Sequence, residues 1–268
     1  MISLFPEASE GLIDPMRAVA AEQRQPPGTM STDDDQTSTP GVSRRPWVMT
    51  NMIASADGAT SMEGLSGALG GPADQAMFMA IRGVADAIIV GASTVRQERY
   101  RAPSGGSAQQ RADRLDRGQP ALPLVVVITA SLDLDLDLPL FANPDLYRPL
   151  IVTVEGASAE RRVALETVAD VVTAGNEKVD LGLVLGEIAA RGLGTVLSEG
   201  GPSLNGQLIA EDLIDEWNLT LSPILAGGTS RRPAIGRELL PPGLAMTLAR
   251  VWYQDDLLFC RWVRQTRA

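Results

Sequence analysis

The stretch "LSEGGPSLNGQLI", residues 197–209, joins an apolar, strand-like run to a helix-like run through the paired glycines Gly200 and Gly201. Glycines at such a junction fit two situations. One is an ordinary tight turn. The other is a phosphate bound at the start of a helix, where unpaired N–H groups and the positive end of the helix dipole attract an anion. The stretch alone leaves both interpretations open, but each predicts a strand–turn–helix unit.

The same alternation continues along most of the chain. Apolar, strand-like runs include "DAIIVGAST" (86–94), "PLVVVITAS" (123–131) and "PLIVTVEG" (149–156), and helical patterns cover 71–85, 158–168 and 180–192. Strands that are apolar on both faces are typical of a parallel sheet covered by helices on both sides. The segment 244–264 predicts an antiparallel hairpin that turns near Gln254–Asp256. We therefore predict an α/β fold over residues 46–268, with a mixed, mostly parallel sheet of about nine strands.

The first 45 residues have a different character. Residues 20–46 are rich in Pro, Ser, Thr, Gln and Asp and carry no apolar period, which predicts a mobile linker. Residues 4–19 are expected to pack weakly on the body or to form a short helix. Together, residues 1–45 are interpreted as a partly disordered N-terminal extension. A second polar stretch, 101–123, is long for a loop, and such loops are often functional or disordered.

Composition excludes several kinds of chemistry. The 268 residues contain no histidine and one cysteine, Cys260, so histidine-based triads and most zinc sites are excluded and no metal is expected. The net charge of −10 argues against nucleic acid as the main partner. No apolar run approaches the ~20 residues of a membrane span, and the start lacks the pattern of a secretory leader. We expect a cytoplasmic protein.

Candidate site residues follow the predicted strands, because ligands of open α/β sheets bind beyond the carboxyl ends of the strands. Four such places look like the rim of a dinucleotide crevice: 55–58 with Asp57, 91–94 with Gly91, Thr129–Ser131, and 199–203. A carboxylate such as Glu199 at the end of a buried strand is costly unless it has a role. Neither the Rossmann glycine motif nor a P-loop occurs.

The motifs also resemble a known family. The segments "NMIASADGATSMEGLSG", "IRGVADAIIVGASTVRQERY" and "LSEGGPSLNGQLIAEDLIDEWNLTLSPILAGG" are similar, in order and spacing, to the pyrimidine reductase domain of riboflavin biosynthesis. The resemblance covers roughly residues 46–265. It implies a three-layer α/β/α fold like that of dihydrofolate reductase, NADPH as hydride donor, and a homodimer formed through the sheet edge. The zinc-ligand motifs of the deaminase domain found in bifunctional members are absent, which indicates a stand-alone reductase.

The resemblance also implies roles for single residues. Ser66, Arg82 and Glu199 match substrate contacts, and Asn51 stands where many members have a lysine. The cofactor side is matched by Ala54, Thr94, Glu98 and the run from Gly201 to Gln207, which includes Pro202, Ser203 and Leu204. Gly200 and Gly201 would receive the pyrophosphate, and Thr129 and Ser131 would lie near the adenosine ribose and its 2′-phosphate. The family's "D-D-P-x-L-x-x-R", which helps to hold the ribose phosphate, reads "ERYRAPSG" here, so Arg99 or Arg101 would replace it.

Asp74 is the candidate catalytic residue. It occupies the place of the carboxylate that binds and protonates the pterin ring in dihydrofolate reductases, although an acid in the first turn of a helix is also favoured by the helix dipole alone. The sequence therefore predicts an NADPH-dependent oxidoreductase of a pyrimidine or pterin-type substrate, by default 5-amino-6-(5-phosphoribosylamino)uracil reduction. Dihydrofolate reduction is one alternative, and a non-catalytic NADP-binding module is the other.

Overall fold

The computed structural model describes residues 1–5, 12–24, 45–236 and 242–265. Within these ranges the chain forms one sheet of ten strands and seven α-helices. The strands are β1 (Ile2–Phe5), β2 (Trp47–Ser55), β3 (Ala87–Gly91), β4 (Leu124–Ile128), β5 (Leu150–Thr153), β6 (Asp170–Thr173), β7 (Thr195–Ser198), β8 (Glu216–Ser222), β9 (Met246–Gln254) and β10 (Leu257–Arg264). The helices are α1 (Pro15–Ala21), α2 (Pro72–Val84), α3 (Ala92–Gln97), α4 (Ala108–Asp116), α5 (Ala159–Glu166), α6 (Leu181–Ala190) and α7 (Pro202–Ala210).

The strands follow the order β1-β9-β10-β8-β2-β7-β3-β4-β5-β6 across the sheet. The seven strands from β2 to β8 are all parallel to one another. β10, β9 and β1 continue the sheet beyond β8, and each of them is antiparallel to the strand before it. The predicted α/β class is confirmed, and the β9–β10 hairpin turns after Gln254 as predicted. The central strands read as continuous apolar runs because both of their faces are covered.

Helices on both faces of the sheet give three layers. Ala87 and Ile89 of β3 belong to the core under α6 and α7, together with Leu185 and Leu208. Ile88, on the opposite face, belongs to the core under α1 and α2, and a third cluster on that face lies under α3 and α5. The side chains of a strand alternate between faces, so one five-residue strand serves two cores.

The N-terminal residues add a tenth strand to the about nine that were expected. Ile2 pairs with Tyr253 and Phe5 with Val251, so β1 extends the sheet along the outer edge of β9. The expected short helix is present as α1, which packs on α2 through the fully buried Val19. Residues 25–44, which hold most of the expected linker, lie outside the described residues, and the domain division at residue 45 stays a prediction.

A buried group of charged side chains fastens the N-terminal segment to the antiparallel strands. We call it the Glu216 cluster, and its members are Glu22, Arg24, Glu216, Arg250 and Arg261. Glu216 is fully buried, and its carboxylate accepts hydrogen bonds from Arg24 (3.1 Å) and Arg261 (3.0 Å). Glu22 accepts a hydrogen bond from Arg250 and forms an ion pair with Arg24 (2.8 Å). The cluster therefore joins residues 22–24 to β8, β9 and β10.

In the part of the chain that the structure describes, no helix is both long enough and apolar enough to cross a membrane.

Candidate active site

One large cavity lies at the carboxyl ends of the parallel strands. Its volume is about 1900 Å³, whereas a pocket for one small ligand usually measures about 300–1,000 Å³. The lining comes from α1, β2 and the loop after it, α2, the β3–α3 junction, the segment 96–117 that includes α4, the end of β4, the β7–α7 junction and residues 229–231. The cavity thus has room for two ligands side by side.

Asp74 lies at one end of this cavity, in the first turn of α2. The helix begins with Gly71 in an extended conformation and Pro72 at its first position, so Asp74 follows directly after the turn. Burial raises the pKa of the Asp74 carboxyl, and a hydrogen bond with Thr220 of β8 opposes this shift without cancelling it. Its surroundings therefore favour the protonated form of Asp74 more than water would.

Glu199, Arg82 and Tyr100 form a compact hydrogen-bonded group in the cavity wall. Arg82 donates from Nε to Oε1 of Glu199 (2.5 Å) and from Nη2 to Oε2 (2.6 Å), and the Tyr100 hydroxyl donates to Oε2. The Arg82 guanidinium also stacks 4.3 Å from the centre of the Phe78 ring. Sequence analysis predicted Arg82 and Glu199 but missed Tyr100 and Phe78. The quoted motif contains Tyr100, but its letters do not show that the phenol turns back towards β7.

Burial and the charge of Glu199 shift the pKa values of Tyr100 and Arg82. Burial raises the pKa of the Tyr100 phenol, and the charge of Glu199 raises it further. Burial lowers the pKa of Arg82, but the neighbouring Glu199 carboxylate outweighs burial, so the net shift is upward. The site consequently presents a neutral phenol and a fixed guanidinium–carboxylate pair.

The diglycine corner, Gly200–Gly201, follows Glu199 directly, and Gly201 also lines the cavity. Gly200 has φ +80°, a conformation that favours glycine, and the Gly200–Gly201 peptide bond is cis. The Gly200 carbonyl accepts a hydrogen bond from the Gly91 amide (2.8 Å), which ties the β7–α7 junction to the β3–α3 junction. A Cβ placed on Gly201 would lie 3.0 Å from Thr94 Oγ1. The absence of side chains at Gly91 and Gly201 therefore keeps the backbone of both junctions accessible from the cavity.

Most of the other predicted residues also line this cavity, and the structure places a few of them elsewhere. The predicted residues that line it are Asn51, Ser66, Asp74, Arg82, Gly91, Thr94, Glu98, Thr129, Ser131, Glu199, Gly201, Pro202, Ser203 and Leu204. Ser66 donates from Oγ to Glu98 (3.1 Å). Ala54 and Gly200 are buried behind the lining.

Asp57 is also outside the lining and holds a loop together. Its carboxylate accepts hydrogen bonds from Ser55 Oγ (2.5 Å) and from the amides of Ala226 (3.0 Å) and Gly227 (2.7 Å). The bond from Ser55, followed by those from the two amides, lowers the pKa of Asp57 to about 2. Its carboxylate fastens the loop after β8 to the turn after β2.

The cavity is locally basic in an acidic protein. Eight arginines line it against five carboxylates, although the chain as a whole carries a net charge of −10. The exposed side chains of Arg99 and Arg101, on either side of Tyr100, form no hydrogen bond or ion pair with other described residues. Arginine guanidinium groups suit phosphate oxygens, so the lining favours anionic ligands.

The N-terminal helix α1 also lines the cavity. Met16, Arg17 and Ala20 of α1 contribute to it, a role for the N-terminal segment that sequence analysis did not foresee. Among the described residues, no group of three or more Cys, Asp or Glu side chains is arranged to hold a metal ion.

Comparison with known proteins identifies the family. The model of the RibD C-terminal domain matches residues 46–257. The chain belongs to this family. Two similar curated proteins are named 2,5-diamino-6-ribosylamino-4(3H)-pyrimidinone 5′-phosphate reductase. The one from Methanothermobacter thermautotrophicus is 29% identical over 195 residues, which are 72% of this chain and 85% of that protein. The one from Archaeoglobus fulgidus is 32% identical over 187 residues, or 69% and 83% of the two chains.

Solved structures agree with this membership of the RibD C-terminal family. A pyrimidine reductase-like protein from Corynebacterium diphtheriae superposes with a TM-score of 0.76 at 26% identity and covers 83% of this chain and 93% of its own. RibD from Acinetobacter baumannii gives a TM-score of 0.65 at 21% identity over 83% and 59% of the two chains, and shows the shared fold. The resemblance noted in the sequence is thus confirmed, and the family is one of reductases whose fold typically binds a nicotinamide cofactor.

Proposed function

We propose that this protein is an NADPH-dependent reductase of a pyrimidine ribosyl phosphate, acting in riboflavin biosynthesis like the relatives named above. One observation carries the proposal. A single cavity is lined by Asp74, by the Arg82–Glu199 pair and by the glycine-lined corner at Gly91 and Gly201. The volume for two ligands and the basic lining fit a phosphorylated substrate beside a dinucleotide.

The residues present fit a nicotinamide cofactor. Gly91 and Gly201 carry no side chain that would block the β3–α3 and β7–α7 junctions. The Ser203 amide lies in the first turn of α7, at the positive end of the helix dipole, where an anion is favoured. Thr94 and the run Gly201–Leu204 would hold the pyrophosphate side, and Thr129 and Ser131 the adenosine side. When bound, the cofactor supplies a hydride. The choice of NADPH over NADH follows from the family resemblance and belongs to the proposal.

The chain's own groups would do the remaining work. Reduction of the ribosylamino substrate would add a hydride, which the bound cofactor would supply, to C1′ of the sugar. The C1′–O4′ ring bond would break, and the freed oxygen would take up one proton. Asp74, whose pKa is raised, donates the proton from its carboxyl to the heteroatom next to the carbon that is reduced. Glu199 accepts hydrogen bonds from the substrate, Arg82 orients it, and Arg99 or Arg101 binds its phosphate.

Asparagine at position 74 tests the proton donor. Because the protonated form of Asp74 is active, kcat/KM of the wild type should fall as the pH rises through the raised pKa of this residue. The Asp74→Asn variant should lack that decline and should lose about 100-fold or more in rate at neutral pH. Steady-state pH profiles measure both effects. Asp180→Asn, at the start of α6 and away from the cavity, serves as the control, and a rate for Asp74→Asn equal to that of this control would refute the assignment.

Turnover by the purified protein tests the function itself. We expect NADPH oxidation with 2,5-diamino-6-ribosylamino-4(3H)-pyrimidinone 5′-phosphate or the 5-amino-uracil analogue, and little with NADH. The dihydrofolate alternative, which the named relatives do not support, is assayed in parallel. NADPH binding without oxidation by any of these heterocycles would instead indicate the non-catalytic module.

A matched pair of glycine variants checks the cofactor corner in the same experiment. Gly201 and Gly71 each precede the first proline of a helix, but a Cβ on Gly71 meets open space, whereas one on Gly201 lies 3.0 Å from Thr94 Oγ1. Gly201→Val should weaken NADPH binding about tenfold or more, and Gly71→Val should leave it unchanged. Equal affinities would place the cofactor elsewhere.

A homodimer stays part of the proposal, with one structural constraint. Within the described residues the edges of the sheet are β1 and β6, because β1 covers β9. A dimer through a sheet edge would therefore pair β1 or β6 with its copy, and light scattering of the purified protein would measure the mass.

A further inference from the structure

The C-terminal end of α2 is held by side chains from a distant segment. Arg114 of α4 donates to the carbonyls of Arg82 (3.4 Å), Gly83 (3.0 Å) and Ala85 (2.8 Å). Gln119 donates to the carbonyl of Val84 (2.9 Å). The last carbonyls of a helix have no partner within the helix. The polar segment 101–123 therefore supplies hydrogen-bond donors to carbonyls at the end of α2.

Arg114 is the centre of this arrangement. It is only 3% exposed, and its Nε also donates to the carbonyl of Pro120 (2.8 Å). One planar guanidinium thus links the end of α2, including its C-cap residue Ala85, to the chain beyond α4. A lysine ammonium cannot reproduce this, because it is a compact charge without the fixed fork of donors.

The helix end held in this way carries the substrate side of the cavity. The carbonyl of Arg82 accepts from Arg114, while the guanidinium of Arg82 donates to Glu199 at the end of β7. Phe78 and Asp74 lie one and two turns earlier on the same helix. A shift of α2 would displace all three relative to β7, whereas the cofactor corner is built on β3, α3, β7 and α7.

We propose that Arg114 is a positioning residue for substrate: by fixing the C-terminal end of α2, it sets the distance between Arg82 and Glu199. The proposal rests on the proposed function for its kinetic consequence. It assigns to the inserted segment 101–123 a role in substrate affinity and not only in stability.

The chain offers a matched control. Arg148 caps the end of α5 in a similar way, with bonds to the carbonyls of Glu166 (2.8 Å), Thr167 (3.3 Å) and Ala169 (2.7 Å). Its side chain is 37% exposed and, unlike Arg114, it does not line the cavity. Arg114→Met and Arg148→Met both remove a guanidinium that caps a helix end. Only the first should raise the substrate KM, with a loss of about 10- to 100-fold in kcat/KM, because small misplacements of binding groups are costly.

NADPH affinity separates positioning from general damage. We expect the dissociation constant of NADPH for Arg114→Met to stay within about twofold of the wild type, since the cofactor corner stands on other elements. Arg114→Lys, which keeps the charge, should raise the substrate KM less and provides the measurement if Arg114→Met does not fold. A parallel loss of NADPH affinity and substrate affinity in these variants would overturn the proposal.

Crystal structures of the two methionine variants give a readout that needs no substrate. The Arg82–Glu199 pair should be displaced in Arg114→Met and intact in Arg148→Met. An intact pair together with an unchanged KM in Arg114→Met would also overturn the proposal. If the wild type fails to reduce the pyrimidine substrate, the proposed function fails, and the crystallographic comparison alone decides the role of Arg114.

Discussion

The Glu199→Gln variant is expected to lose at least about 100-fold in kcat/KM, which corresponds to about 2.7 kcal/mol of transition-state stabilisation. Glutamine has nearly the same shape, but its amide carries one acceptor oxygen where the carboxylate has two. Glu199 now accepts from both Nε and Nη2 of Arg82 and from the Tyr100 hydroxyl. In the variant an NH₂ group would face one of these donors, and the charge of Arg82 would lose its partner.

Burial makes this loss large. The Glu199 side chain is 3% exposed and that of Arg82 is 24% exposed, so solvent cannot replace the missing interaction. The control is Glu187→Gln, which removes the carboxylate from an exposed pair with Arg191 on α6 and should change kcat/KM little. Steady-state kinetics on both variants make the comparison. Wild-type kinetics in Glu199→Gln would exclude the carboxylate from the reaction and from substrate binding.

The Glu216→Ala variant should be destabilised by about 3–5 kcal/mol, the usual cost of removing one partner from a buried ion pair. The Glu216 cluster holds two carboxylates and three arginines, and the variant would leave Glu22 as its only carboxylate. Trp47 and Asn218 would also lose the acceptor of their hydrogen bonds. Denaturant unfolding measures the change, and Glu187→Ala at the exposed pair should cost less than about 1 kcal/mol.

Acid provides a second test of the same residue. Burial alone would raise the pKa of Glu216, but Arg24 and Arg261 outweigh burial and lower it to about 2. A lowered pKa means that the stabilisation is present above the unfolded value of about 4.3 and is lost as the pH falls from there towards 2. The difference in unfolding free energy between wild type and Glu216→Ala should therefore shrink between pH 5 and pH 2.5. A difference that stays constant over this range would contradict the lowered pKa.

Sequence patterns predicted most of the parallel half of the fold. The runs that became β3, β4 and β5 are apolar throughout because both faces are buried, and α2 and α7 each begin at a proline that suits the first helical position. Ligands of open α/β sheets bind beyond the carboxyl ends of the strands. This rule and the family resemblance together predicted the shared location of Arg82, Gly91, Glu199 and Gly201, which line one cavity.

What the sequence did not predict depends on contacts between distant residues. β1 pairs with a strand about 250 positions later, and nothing in "ISLF" indicates that partner. Tyr100 joins Glu199, and Arg114 the end of α2, only because the chain folds back on itself after α3. From the sequence alone, a polar side chain such as that of Arg114 is expected to be exposed to solvent. No local pattern identifies the distant carbonyls to which it donates hydrogen bonds.

The pairing of β1 with β9 limits the order in which the sheet can form during protein synthesis. β1 lies about 250 residues before its hydrogen-bonding partner in the chain, since Ile2 lies opposite Tyr253. Contacts of such sequence separation are slow to form, and β1 can pair with β9 only after β9 has been synthesised. A nascent chain stalled before β9 would therefore carry β1 without the strand that it pairs with in the folded sheet.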